Sequence, residues 1–158
     1  MLSQESLKLI DVEVAKYPPD QKQSAVMAAL RIAQQEKGWL ARETIDEVAQ
    51  YLEMPAIAAF EVASFYNMYD LEPVGKHKIT VCTNLPCALS GGVQAAEYLK
   101  QKLGIDFNET TPDGNFTLKE GECMGACGDA PVLLHNNHRM CSWMTTEKID
   151  QMLADLAK

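Results

Sequence analysis

Four of the five cysteines fall in two close pairs: Cys82 and Cys87 in VCTNLPCA, and Cys123 and Cys127 in ECMGACGDAP. Neither pair has the Cys-x-x-Cys spacing of a dithiol switch, so thioredoxin-type exchange is disfavoured. Each pair begins where a stretch with strand character ends, Lys78–Cys82 and Phe116–Glu122. Each loop then contains small residues or proline. Two short loops at one end of a sheet can present four thiolates to a common point, a donor set suited to zinc or to an iron–sulfur cluster.

Spacing ranks these readings without closing them. Structural zinc takes ligands roughly two to four residues apart, which suits the 123/127 pair and stretches the 82/87 pair. A [2Fe–2S] cluster asks for two cysteines on each iron and loops wide enough to wrap bridging sulfides; Cys-x4-Cys is the first pair of plant-type ferredoxins. The cluster therefore ranks ahead of zinc, and zinc ahead of unligated thiols. The backbone amides of Thr83–Ala88 and Met124–Gly128, with Gly125 and Gly128 free of side-chain bulk, could donate to the sulfides and help set a reduction potential. His77, His135 and His138 form no Cys-x-His or Cys-x-x-His pairing, which argues against a Rieske site. Cys141 stands apart on the outgoing strand of a hairpin and is expected as a small buried hydrophobe, ahead of a substitute ligand or redox sensor.

The elements that must position these loops come from two regions of different texture. From Leu2 to about Asp70 apolar residues recur at three and four, predicting four short helices. Leu7, Ile10, Val14 and Tyr17 form one stripe; Val26, Leu30 and Ala33 a second, closed by Gly38; Ile45, Val48, Ala49 and Leu52 a third. Pro55, tolerated in a first turn, opens the fourth. Helices this short must pack as a bundle to persist. After the linker Asp70–Gly75 the order becomes strand, helix, strand, strand, strand, helix. Its first helix carries Val93, Ala96, Leu99 and Leu103 and stops at Gly104. Thr111–Gly114 and Asn136-Asn137-His138 are turns, and Thr145 or Thr146 caps the last helix. The expected class is α+β or α/β, with a helical bundle over 1–72 and a small mixed sheet with flanking helices over 73–158.

Composition narrows the function classes. The chain has 158 residues, a net charge of −8 and 47% hydrophobic residues, so a packed core is expected and disorder is not. Residues 1–75 hold 6 Lys/Arg against 12 Asp/Glu, a net of −6, and residues 76–158 hold 8 against 10. That acidity argues against nucleic acid as a partner, and no GxGxxG or P-loop marks a nucleotide site. No secretory signal and no membrane-spanning run is visible, so the cysteines read as cytosolic thiols. The aromatic run Phe65–Tyr69 is expected to serve the core and plug the domain link, ahead of a partner-facing patch, the two roles being compatible, and the eight methionines are expected mainly as core filler.

Four segments together resemble one family: YPPDQKQSAVMAALRIAQQEKGWL, VASFYNMYDLEPVGKHKITVCTNLPCALSGG, LGIDFNETTPDGNFTLKEGECMGACGDAPV and the closing T-x-E-K-I-D. The family is the twenty-four-kilodalton, thioredoxin-like [2Fe–2S] subunit of respiratory complex I, the NADH:quinone oxidoreductase. The resemblance runs from about Tyr17 to Leu156, and the two cysteine loops are its most specific part. It implies a thioredoxin-like C-terminal domain behind a helical region that docks on a partner. It implies one [2Fe–2S] cluster per chain on Cys82, Cys87, Cys123 and Cys127, and no catalytic residue in this chain. The implied partner is the flavin-bearing, NADH-oxidising subunit, which would hold FMN and NADH. The setting would be the cytoplasmic face of the inner membrane, without direct membrane insertion. NAD-linked hydrogenases and formate dehydrogenases use similar subunits, and a zinc-stabilised binding module is the rival of another class. Whether the isolated chain forms a homodimer stays open.

Overall fold

The computed structural model describes residues 1–157; Lys158, the last residue of the expected second domain, lies outside them. The chain divides into two compact units, Met1–Pro73 and the segment from Val74 onward.

The first unit packs four helices: α1 (Gln4–Val14), α2 (Val26–Lys37), α3 (Arg42–Tyr51) and α4 (Ala56–Phe65), with a 3-10 turn at Lys22–Ala25. Local chemistry sets their ends. Ser3 caps α1 by accepting the Ser6 amide at 3.1 Å, and α2 stops at Gly38, whose φ of 84° suits a residue without a side chain. Ile10, Leu30, Ile45, Val48 and Leu52 are fully enclosed in this core. The following details refine the sequence reading. Tyr17 lies beyond the end of α1 and is exposed, because the Pro18-Pro19 pair already turns the chain away. Pro55 occupies the N-cap of α4, one position before its first turn. The aromatic run divides: Tyr69 is buried and donates to the Met27 carbonyl at 2.8 Å, while Phe65, Tyr66 and Met68 face outward. Met27, Met68 and Met140 are exposed, so methionine fills the core less than expected.

The second unit runs β1 (His77–Cys82), α5 (Leu85–Leu89), α6 (Gly92–Leu103), β2 (Phe116–Gly121), β3 (Leu133–His135), β4 (Arg139–Cys141) and α7 (Thr146–Leu156). Its sheet has the order β2-β1-β3-β4. β1 and β2 are parallel, and a parallel pair needs a crossover, here α5 and α6. β3 pairs antiparallel with β1 and with β4. The register Cys82↔Gly121 ends both parallel strands at one level, so the loops that follow them leave side by side. Ile79, Val81, Leu99, Leu118, Leu133 and Ile149 form the enclosed core against which α6 and α7 pack. Asn136 and Asn137 turn the β3–β4 hairpin with φ of 48° and 60°, a region asparagine tolerates. Thr145 caps α7 through the Lys148 amide at 3.4 Å.

Two helical details depart from the periodicity. α6 turns Ala96, Leu99 and Leu103 onto the core as expected, adds Ala95, and leaves Val93 45% exposed. α5 has no counterpart in the expected order of elements; it folds inside the first cysteine loop.

Candidate metal centre

The first cysteine loop buries both of its thiols and is tied by local bonds. Cys82 closes β1 and Cys87 lies on α5; they are 2% and 1% exposed, packed with Val132, Met124, Ala126 and Ala130. α5 is only one turn long and depends on its caps. Asn84 Oδ1 accepts the Leu85 amide at 2.9 Å, Pro86 occupies the first turn, and Ser90 Oγ donates to the Pro86 carbonyl at 2.9 Å. Burial, then the adjacent Cys82 thiol, pushes the Cys87 thiol up to about 11, while the Val132 amide works in the opposite direction.

This arrangement corrects the expectation that the Thr83–Ala88 amides as a set face sulfides. Thr83 N–H donates to the Gly121 carbonyl, Leu85 N–H to Asn84 Oδ1, Ala88 N–H to the Asn84 carbonyl at 2.8 Å, and Pro86 has no N–H. Turning the loop into a helix engages the amides that an open loop would have left free.

The second loop is open. Cys123 and Cys127 are exposed. Gly125 has φ of 69°, and its N–H donates to Cys123 Sγ at 3.3 Å. A 3-10 turn covers Cys127–Asp129, and the chain leaves through the cis Ala130–Pro131 bond. The end of the hairpin holds this exit in place: Trp143 N–H donates to the Asp129 carbonyl at 2.7 Å, and Met144 N–H to the Pro131 carbonyl at 3.0 Å.

Direct bonds tie the loops together. Cys82 Sγ donates to the Glu122 carbonyl at 2.8 Å, which places the residue before Cys123 against the end of β1. Thr83 Oγ1 donates to Glu120 Oε1 at 2.7 Å, and Cys82 N–H to the Val132 carbonyl at 3.2 Å. Cys127 is close enough to Cys87 to act on its thiol electrostatically. The structure thus brings Cys82 and Cys87 side by side and sets the Cys123–Cys127 loop over them. Among the described residues, no three His, Cys, Asp or Glu side chains converge on one ion position.

The remaining titratable groups lie elsewhere. His77 Nδ1 and His135 Nε2 are 3.1 Å apart, and burial lowers the pKa of both. His77 starts β1, roughly 16 Å of strand away from Cys82. Cys141 is buried on β4 opposite Leu133, and burial raises its thiol pKa. One residue of the site escaped the sequence reading. Gly92 begins α6 with the Cys82 and Cys87 carbonyls pressed against it, and two adjacent glycines at the start of a helix were the available signal.

The profile of the thioredoxin-like [2Fe-2S] ferredoxins matches residues 10–157. The chain belongs to this family. Curated relatives include an NADH-quinone oxidoreductase subunit of Rickettsia typhi, 47% identical over 84% of this chain and 78% of that protein. The NADH-quinone oxidoreductase subunit 2 of Thermus thermophilus is 39% identical over 90% of this chain and 78% of its own length. Among solved structures, an NAD+-reducing [NiFe]-hydrogenase in the H2-reduced state superposes with a TM-score of 0.69 at 20% identity, over 81% of this chain and 22% of that one. That likeness is one of fold. For a thioredoxin-like [2Fe–2S] ferredoxin the donor set is chemically apt: four thiols on two adjacent loops, one pair enclosed by apolar residues and one amide already directed at sulfur.

Proposed function

We propose that this chain is the electron-transfer subunit of an NADH:quinone oxidoreductase, holding one [2Fe–2S] cluster through Cys82, Cys87, Cys123 and Cys127. The observation that carries the reading is the β1–β2 register, which sets the two cysteine loops side by side at one end of the sheet. The names of the Rickettsia and Thermus relatives support the respiratory setting. When bound, the cluster supplies a one-electron relay.

The residues of the chain hold and tune that relay. Cys82 and Cys87 offer thiolates in a pocket from which Val132, Met124 and Ala126 exclude water. The Gly125 amide withdraws electron density from Cys123 Sγ, which favours a higher potential. Glu120, fixed against Thr83, places a carboxylate beside the same loops and favours a lower one. No acid–base or nucleophilic step falls to this chain; FMN and NADH belong to the flavin-bearing partner. The first unit, with exposed Phe65, Tyr66 and Met68, serves docking on that partner. Among the described residues no helix is long and apolar enough to cross a membrane, so attachment at the cytoplasmic face of the inner membrane runs through the complex.

Affinity purification of the tagged chain from its own cells tests the assignment. A co-purifying flavoprotein that oxidises NADH is the expected result. Recovery with a hydrogenase or formate dehydrogenase would replace the respiratory partner with one of those.

A further inference from the structure

Helix α6 begins with two glycines, and they are not equivalent. A Cβ on Gly91 would make an ordinary contact, 3.5 Å from Pro131 Cγ. A Cβ on Gly92 would lie 2.7 Å from the Cys82 carbonyl oxygen, 2.8 Å from the Cys87 carbonyl oxygen and 2.9 Å from the Cys87 carbonyl carbon. All three are backbone atoms of the two residues that bear the enclosed thiols.

These atoms have little freedom to yield. The Cys87 carbonyl already accepts the Ser90 amide at 3.1 Å, and Cys82 is anchored through its own N–H to the Val132 carbonyl at 3.2 Å. Nor can α6 retreat, because Ala95, Ala96 and Leu99 are buried in the sheet core. Val93, the next residue of α6, is exposed and makes a useful contrast.

We infer that Gly92 is a ligand-positioning residue: by carrying no side chain it lets the start of α6 seat the Cys82 and Cys87 backbones together, and so sets the spacing of their thiols. This inference rests on the proposed [2Fe–2S] reading. Alanine is the better helix former, so Gly92→Ala improves α6 itself and its cost falls on the cysteine loop.

The test compares full-length wild type, Gly92→Ala and Val93→Ala, purified anaerobically. Far-UV circular dichroism of the metal-free proteins reports folding; EPR of the dithionite-reduced proteins and iron release to a chelator report the ligands. Gly92→Ala is expected to fold, to show displaced g values, and to release iron about tenfold faster than wild type, the scale of a lost supporting contact around a metal. Val93→Ala is expected to keep the wild-type g values. Wild-type g values and release rate in Gly92→Ala overturn the inference. Misfolding of metal-free Gly92→Ala overturns it too, since the methyl would then disturb the core and not the loop. A wild-type chain without a [2Fe–2S] signal overturns the functional reading first, and this one with it.

Discussion

The two cysteine loops proposed to share one cluster have opposite construction. The Cys82–Cys87 loop buries both its thiols and is helical and capped, with several of its amides engaged in its own fold. The Cys123–Cys127 loop is exposed, turns on a left-handed glycine, and directs an amide at sulfur. The halves of a shared metal site therefore need not be equally preorganised. One half is fixed by the core beneath it; the other is held by Met124 and Ala126 packing on the first pair and at its ends by Glu122 and the Asp129–Trp143 bond.

The strongest perturbation separates the two pairs directly. Serine at Cys82 or Cys87 is predicted to abolish the cluster, because the rigid loop cannot move to bring a shorter Ser side chain onto iron. Serine at Cys123 or Cys127 should leave a damaged, partly occupied cluster, and Cys141→Ser a nearly unchanged visible spectrum. Iron content of the purified variants reads this out; equal loss in all four ligand variants would erase the contrast between loops. Next, Leu99→Ala removes a fully buried side chain beneath α6 and should cost about 2–5 kcal/mol in denaturant unfolding. A cost typical of surface positions would mean that the core does not hold the rigid loop.

Alkylation of the metal-free, reduced protein gives a smaller difference. With its thiol raised to about 11 by burial and by Cys82, Cys87 has roughly a hundredfold less thiolate at pH 8 than an ordinary cysteine, so it should react after Cys123 and Cys127. Its rate should climb as pH rises towards that value. Labelling of Cys87 in step with Cys123, followed by peptide mass spectrometry, would contradict the enclosure. The mildest change is Asn84→Ala, which removes the α5 cap and should cost about 1 kcal/mol. If iron release is unaffected by that loss, α5 is not what orders the first loop.

Much of this was legible in the residues. The cysteine spacings, the strand ahead of each pair, the Gly38 and Gly104 stops and the Asn136-Asn137 turn are written locally, in residue types with strong backbone preferences. What stayed hidden depends on burial or on short range. α5 is five residues long, too brief to display a helical period, so the loop amides looked free when several are engaged. Val93 satisfies the spacing of an apolar stripe, yet the sheet takes the neighbouring face of α6. The closeness of Gly92 to two carbonyls is a tertiary contact, hinted at only by an unusual pair of glycines at a helix start.

Everything proposed for this chain depends on four thiolates from two unlike loops holding one binuclear, one-electron centre. A reductive titration of the anaerobically purified chain decides this, with iron, sulfide and zinc analysis and EPR spin counting on the same sample. Two irons, two sulfides and one unpaired spin per chain after one electron is the expected outcome. A colourless, EPR-silent chain carrying one zinc would contradict it.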